Sequence, residues 1–169
     1  MRISNKCDLF EEVKIKLASQ GFKVVNQDQN QPWGGSLLIE ESQAEKFARI
    51  YFSGKDLEQE RHRVVKPKIL VVAPGKRIAW QYHLRRAEIW QVLVGKVGVV
   101  TSDDDVLGAI EHKDAGEWVY LGVSKRHQLV GLHDWGVVAQ LWQLPEDGAQ
   151  PSDEQDVVRL ESTKGTYLI

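Results

Sequence analysis

Apolar residues recur at helical spacing near the start of the chain. From Lys68 onward they fall instead into short runs broken by turn residues. Leu9, Val13 and Leu17 mark one helical stripe before Gly21, with Asp8 as the capping residue and Glu11 at the return position of a capping box. Phe22–Val25 predicts a short strand. Asn26–Gln31 is polar and without apolar periodicity, so it reads as a connection into Pro32-Trp33-Gly34-Gly35. After a strand at Leu37–Ile39, Ser42-Gln-Ala-Glu45 forms a second capping box. It opens a helix whose apolar face is Phe47, Ala48, Ile50 and Tyr51, ending near Gly54. Lys55–Arg63 is a charged surface connection in which His62 reads as a solvated loop histidine.

Strands are then expected at 69–72, 77–83, 88–94, 96–101, 118–121, 128–130 and 137–144, the rhythm of an antiparallel barrel or sandwich. Gly95, Gly108, Gly116 and Asp134-Trp-Gly136 supply turns, and Ser102-Asp-Asp-Asp105 reads as a solvated hairpin tip. One structural domain is expected, with residues 1–62 as an extension packed on a barrel of 63–169. Trp80, Trp90, Trp118 and Trp142 fall inside strands and are assigned to the barrel core.

Composition narrows the functional classes. The 169 residues are 42% hydrophobic and 27% charged, as in a globular protein. A net charge of -2 gives no bulk attraction to nucleic acid or to an anionic membrane. Cys7 is the single cysteine, so no intrachain disulfide can form; no export signal is evident, and a cytoplasmic location is expected. No apolar run is long enough to span a bilayer.

The stretch Gly75–Gly95 carries the candidate chemistry. Gln81 and His83 are two apart, so on a strand both leave the same face, whereas Leu84 points away. Leu84–Ala87 lets the chain turn and aim Glu88 back at His83. A fourth donor is His127, which follows a hydrophobic strand and a Gly/Ser turn. His112 and His133 lie in polar turns and are read as surface residues. Two imidazoles, a carboxylate and an amide oxygen suit one divalent first-row ion (Zn, Mn, Fe, Co or Ni) and would leave coordination positions open.

These residues carry a family resemblance. G-x5-Q-x-H-x4-E-x6-G resembles the first cupin motif with glutamine in the first histidine position. Gly116-x5-Gly122-x-Ser124-x2-His127 resembles the second, which usually has Pro and Gly where Gly122 and Ser124 stand. Gln81–Trp90 is similar to the QYHHHRAEHW signature of the type II mannose-6-phosphate isomerases, as are Pro32-Trp33-Gly34 and Pro151–Glu161. The resemblance implies a mainly β fold: a single cupin barrel (double-stranded β-helix, jelly-roll) with N-terminal helical additions. It also implies a metal, a sugar-phosphate ligand and a homodimer. The tail departs from the family's D-x-Y-G-R ending, because Thr166 replaces the arginine.

Three readings follow. The first is an aldose–ketose isomerase acting on a sugar phosphate such as mannose 6-phosphate. There Arg159 and Glu161 are the catalytic candidates, and Trp33, Arg85, Arg86 and Lys164 would contact substrate. The second is a sugar-binding cupin without turnover, and the third a non-haem metal oxygenase.

Overall fold

A computed structural model of the chain describes residues 5–53, 62–145 and 151–160. Helix α1 (Lys6–Ser19) starts one turn earlier than its apolar stripe suggests. Asn5 is the cap, its side chain accepting the Asp8 amide proton at 2.9 Å, so Asp8 instead lies in the first turn. The polar run at 26–31 is not a connection. It belongs to strand β1 (Val24–Gln31), which pairs with β2 (Gly34–Ile39). A polar sequence is tolerated there because β1 is an edge strand. The second capping box does not form. Glu41–Gln43 is a 3-10 turn ahead of α2 (Ala44–Tyr51), and the Gln43 side chain bonds Lys23 N and Gly21 O instead. Ile50 is exposed, so the buried face of α2 is Ala44, Phe47 and Ala48.

The remaining strands are β3 (His62–Val72), β4 (Gln81–Tyr82), β5 (Ala87–Val94), β6 (Lys96–Ser102), β7 (Ile110–Asp114), β8 (Trp118–Leu121), β9 (Arg126–Gly131), β10 (Gly136–Pro145) and β11 (Val158–Arg159). His62 opens β3 rather than lying in a loop, and the expected strand at 77–83 is reduced to β4 plus one bridge from Arg77 to Val130. Two antiparallel sheets result, with orders β1-β2-β3-β10-β5-β8 and β11-β4-β9-β6-β7. The fold is a cupin barrel with helices on its N-terminal side.

Alternation along the central strands divides the core in two. Ile69, Val71, Ile89, Val137, Ala139 and Leu141 face outward and are covered by Leu9, Phe10 and Leu17 of α1 and Phe47 of α2. Leu70, Val72, Trp90, Val92 and Val138 face inward against Val97, Val99 and Leu129 of the other sheet. Trp118 is 37% exposed and lies outside the core to which it was assigned.

Two backbone features position the inner face. Strand pairing slips between Gln140 and Trp142 opposite Lys66-Pro67, with Lys66 at φ 54°. Such a bulge accommodates a proline that cannot join the ladder, and it sets Lys68 opposite Gln140. At Gly34 φ is 142°, and a Cβ would collide with the Val71 carbonyl. Only glycine therefore lets Trp33 approach β3, where its carbonyl accepts the Ala73 amide proton at 2.8 Å.

Candidate metal centre

His83 and His127 arrive from one sheet and Glu88 from the other. All three are at least 97% buried, while Leu84, in the bend after β4, is 57% exposed. Glu88 Oε1 lies 3.1 Å from His83 Nε2, and Glu88 Oε2 lies 3.9 Å from His127 Nε2. One ligand atom from each residue falls within 4.8 Å of the others. Gln81, whose Cα pairs with that of His127, lines the adjoining cavity beside His83 and Glu88.

Both imidazoles are oriented from behind. His83 Nδ1 is 2.7 Å from the Asp156 carbonyl oxygen, and His127 Nδ1 is 2.8 Å from that of Lys125. A carbonyl can only accept, so each Nδ1 carries a proton and each ring turns its Nε2 to the centre. His127 Nε2 is buried and has no hydrogen-bond partner. An orphaned acceptor among histidine and carboxylate donors is what a bound cation would relieve, so the residues present fit a divalent metal.

Burial pushes the Glu88 carboxyl up. The contact with His83 and the charges of His83, His127 and Arg86 outweigh this and hold it well below the usual carboxylate range. Burial lowers the His127 pKa, and the charges of His83 and Arg86 add to that against the pull of Glu88. An ionised carboxylate and a neutral imidazole are the forms that ligate metals.

Three further residues hold His83 and Glu88 in place. Arg86 Nε and Trp90 Nε1 each donate to one Glu88 oxygen at 3.1 Å. The Asp156 carboxylate accepts from the amides of Leu84 (2.9 Å) and Arg85 (3.0 Å) and from Ser152 Oγ (2.6 Å), while its own carbonyl bonds His83. Burial raises the Asp156 pKa, but these donors and Arg86 bring it below its ordinary value.

A cavity of about 410 Å³ opens beside His83 and Glu88. Its walls include Lys68, Trp90, Gln140 and Trp142 from the six-stranded sheet, Asp28, Gln31, Trp33 and Ser36 from β1, β2 and their turn, and Glu154 and Arg159 from the C-terminal segment. Trp33 both lines this cavity and packs on the inner core. Arg159 is exposed on the wall, and its Cα pairs with that of Gln81. Arg85 turns to the Pro151 carbonyl (2.7 Å) and Asp153 (3.4 Å) and is not among the lining residues. Arg86 is among the lining residues, yet it is 5% exposed and its guanidinium is bonded to Glu88. Glu161, Lys164 and Thr166 lie outside the described residues. His112 and His133 are exposed.

Lys68, Gln140, Asp28 and Gln31 escaped the sequence reading. For the first two a signal existed: Lys68 heads the inward-facing apolar row Leu70-Val72, and Gln140 interrupts the row Val138-Gln140-Trp142.

The profile of the family described as mannose-6-phosphate isomerase C-terminal matches residues 40–162, a span that contains all four candidate ligands. The chain belongs to that family. No curated protein matches it by sequence. Among solved structures, the capsular polysaccharide assembling protein CapF from Staphylococcus aureus is similar at a TM-score of 0.52 and 16% identity, over 80% of this chain and 34% of that one. Oxalate decarboxylase from Bacillus subtilis is similar at a TM-score of 0.56 and 13% identity, over 80% and 30%. This member of the isomerase family thus spans about a third of the length of these structures, and at such identities the likeness shows the shared cupin fold alone.

Proposed function

We propose that the protein is a metal-dependent aldose–ketose isomerase of a phosphorylated sugar such as mannose 6-phosphate. The observation that carries this reading is the buried His83-Glu88-His127 cluster, with its orphaned His127 Nε2, beside a cavity that mixes cations with hydroxyl-reading groups. Gln81, His83, Glu88 and His127 would hold one divalent ion. When bound, such an ion stabilises negative charge developing on a sugar oxygen.

The chain's own residues do the rest. Lys68 and Arg159 face the cavity and bind the phosphate, Lys68 as a point charge and Arg159 as a fork. Asp28, Gln31 and Gln140 offer hydrogen bonds to sugar hydroxyls, and Trp33 gives the ring an apolar wall. Glu161 follows Arg159 by two residues and is the proposed proton carrier between adjacent carbons. The protein works as a cytoplasmic homodimer with the extension 1–62 and the barrel 63–169 as one unit. Among the described residues, no helix is long and apolar enough to cross a membrane.

The replacement of the family's tail arginine by Thr166 favours a second reading, sugar-phosphate binding with little turnover. Metal analysis combined with an isomerase assay over a panel of sugar phosphates in deuterated water separates them. Deuterium entering at the carbon next to the carbonyl supports the enzyme. Saturable binding without exchange supports the binding module. Neither metal nor binding overturns both.

A further inference from the structure

Arg86 contacts two of the three side chains proposed to hold a metal ion. Its Nε is 3.1 Å from Glu88 Oε1 and its Nη2 is 3.3 Å from His83 Nε2, two of the atoms expected to ligate the ion. The guanidinium lies over the Trp142 ring, 3.5 Å from its centroid, and Nη1 reaches Ser152 Oγ (3.0 Å) and the carbonyls of Asp153 (3.1 Å) and Asp156 (3.3 Å). The group is therefore buried, flat against an aromatic face and bonded along its whole fork.

We propose that Arg86 is the resident counter-cation of the Glu88 centre, and that a divalent ion binds only after displacing its guanidinium from His83 and Glu88. The inference rests on the metal reading above. A buried carboxylate needs a positive partner, and Arg86 supplies one that cannot be neutralised by losing a proton. With Nδ1 donating to the Asp156 carbonyl, His83 has only Nε2 to offer, and one nitrogen cannot serve an arginine N–H and an ion together. A second cation arriving within a few ångströms of Arg86, away from bulk water, is repelled until the guanidinium withdraws. Nη1 has Ser152 Oγ and the Asp153 carbonyl as acceptors besides the Asp156 carbonyl that it shares with His83 Nδ1. Withdrawal of Nη2 from His83 therefore leaves the guanidinium with acceptors of its own.

An ordinary supporting residue predicts the opposite effect of removal. If Arg86 only steadied Glu88, its loss would weaken metal binding by on the order of ten- to a hundred-fold. Displacement predicts a gain of similar size.

The test is calorimetric titration of chelator-treated protein with Mn2+ and with Zn2+, for the wild type, Arg86→Gln and Arg86→Lys. Arg86→Gln should bind tighter than wild type by about ten-fold or more, while Arg86→Lys, which keeps the charge, should stay near wild type. If Arg86→Gln does not fold without metal, it is purified with Zn2+ and the rate of zinc loss to a chromophoric chelator is compared with wild type. Slower loss supports the proposal; equal or faster loss overturns it. Metal binding by wild type with no gain in Arg86→Gln overturns this inference alone. Binding by none of the three proteins overturns it together with the metal reading.

Discussion

His83 and His127 reach the centre in different ways, and that difference shapes what each mutation should do. His83 follows β4 and is fixed by the Asp156 carbonyl and the Arg86 guanidinium, whereas His127 lies in β9 with its Nε2 unpartnered. His83→Ala should cut bound metal in purified protein by at least ten-fold, read by elemental analysis, because it removes one ligand and frees Arg86 to keep Glu88. Unchanged stoichiometry would place the ion elsewhere. The lowered His127 pKa also sets a sign for pH. Below the ordinary histidine value of about 6.5 the unfolded chain takes up a proton that the folded chain resists, so stability falls as pH drops through that region. Asp156, also depressed, withdraws its share as pH falls below about 4. Urea midpoints should therefore decline steadily from neutral pH into acid; a midpoint flat from about pH 7 to 5 would contradict the buried, neutral His127.

Among elements, the C-terminal segment acts as the clamp on the first motif. Asp156 binds the turn at Leu84 and Arg85 through its side chain and His83 through its backbone. Asp156→Ala leaves two amides and Ser152 without their acceptor and should cost about 3 kcal/mol in chemical denaturation. Asp156→Asn, which keeps one carbonyl oxygen, should cost less. Equal and negligible losses would mean that the segment merely lies against the barrel. The turn before His127 shows strain of another kind. Ser124 has φ 67° where a side chain is disfavoured, and its amide bonds the His83 carbonyl at 2.8 Å. Ser124→Gly removes that strain at some cost in chain entropy and should raise stability by about 0.5–1 kcal/mol. A loss instead would show that the hydroxyl contributes more than the backbone suffers.

At the scale of the whole molecule, the centre lies beside an apolar core that does not depend on it. The outer core between sheet and helices and the inner core between the sheets are both made of buried aliphatic and aromatic side chains. If the ion is catalytic, as proposed, a chelator should therefore abolish turnover while leaving the circular dichroism and most of the thermal stability intact. Collapse of the fold on chelation would indicate a structural ion and favour the binding module. The N-terminal strand pair belongs to the same sheet as β3, so it both extends the barrel and walls the cavity with Asp28 and Ser36.

The spacing of Gln81, His83 and Glu88 and the succession of strands were legible in the sequence because they depend on local geometry. Two residues apart on a strand means one face, and an apolar run between turn residues means a strand, whatever surrounds it. Leu84 is exposed and His83 buried as expected, although both lie just past β4, where Asp156 holds the Leu84 amide and the His83 ring. Other features depended on partners distant in sequence. The strand at 26–31 exists because β2 lies beside it, and no periodicity within Asn26–Gln31 encodes that. Ser42 is a good cap by composition, yet the chain enters α2 through a 3-10 turn while Gln43 is drawn to the end of the preceding helix. Arg86 read as a substrate contact because a guanidinium fork suits phosphate. Only the closing of the two sheets around Glu88, with Trp142 beneath and the 151–156 segment above, gave that charge enough partners to be buried.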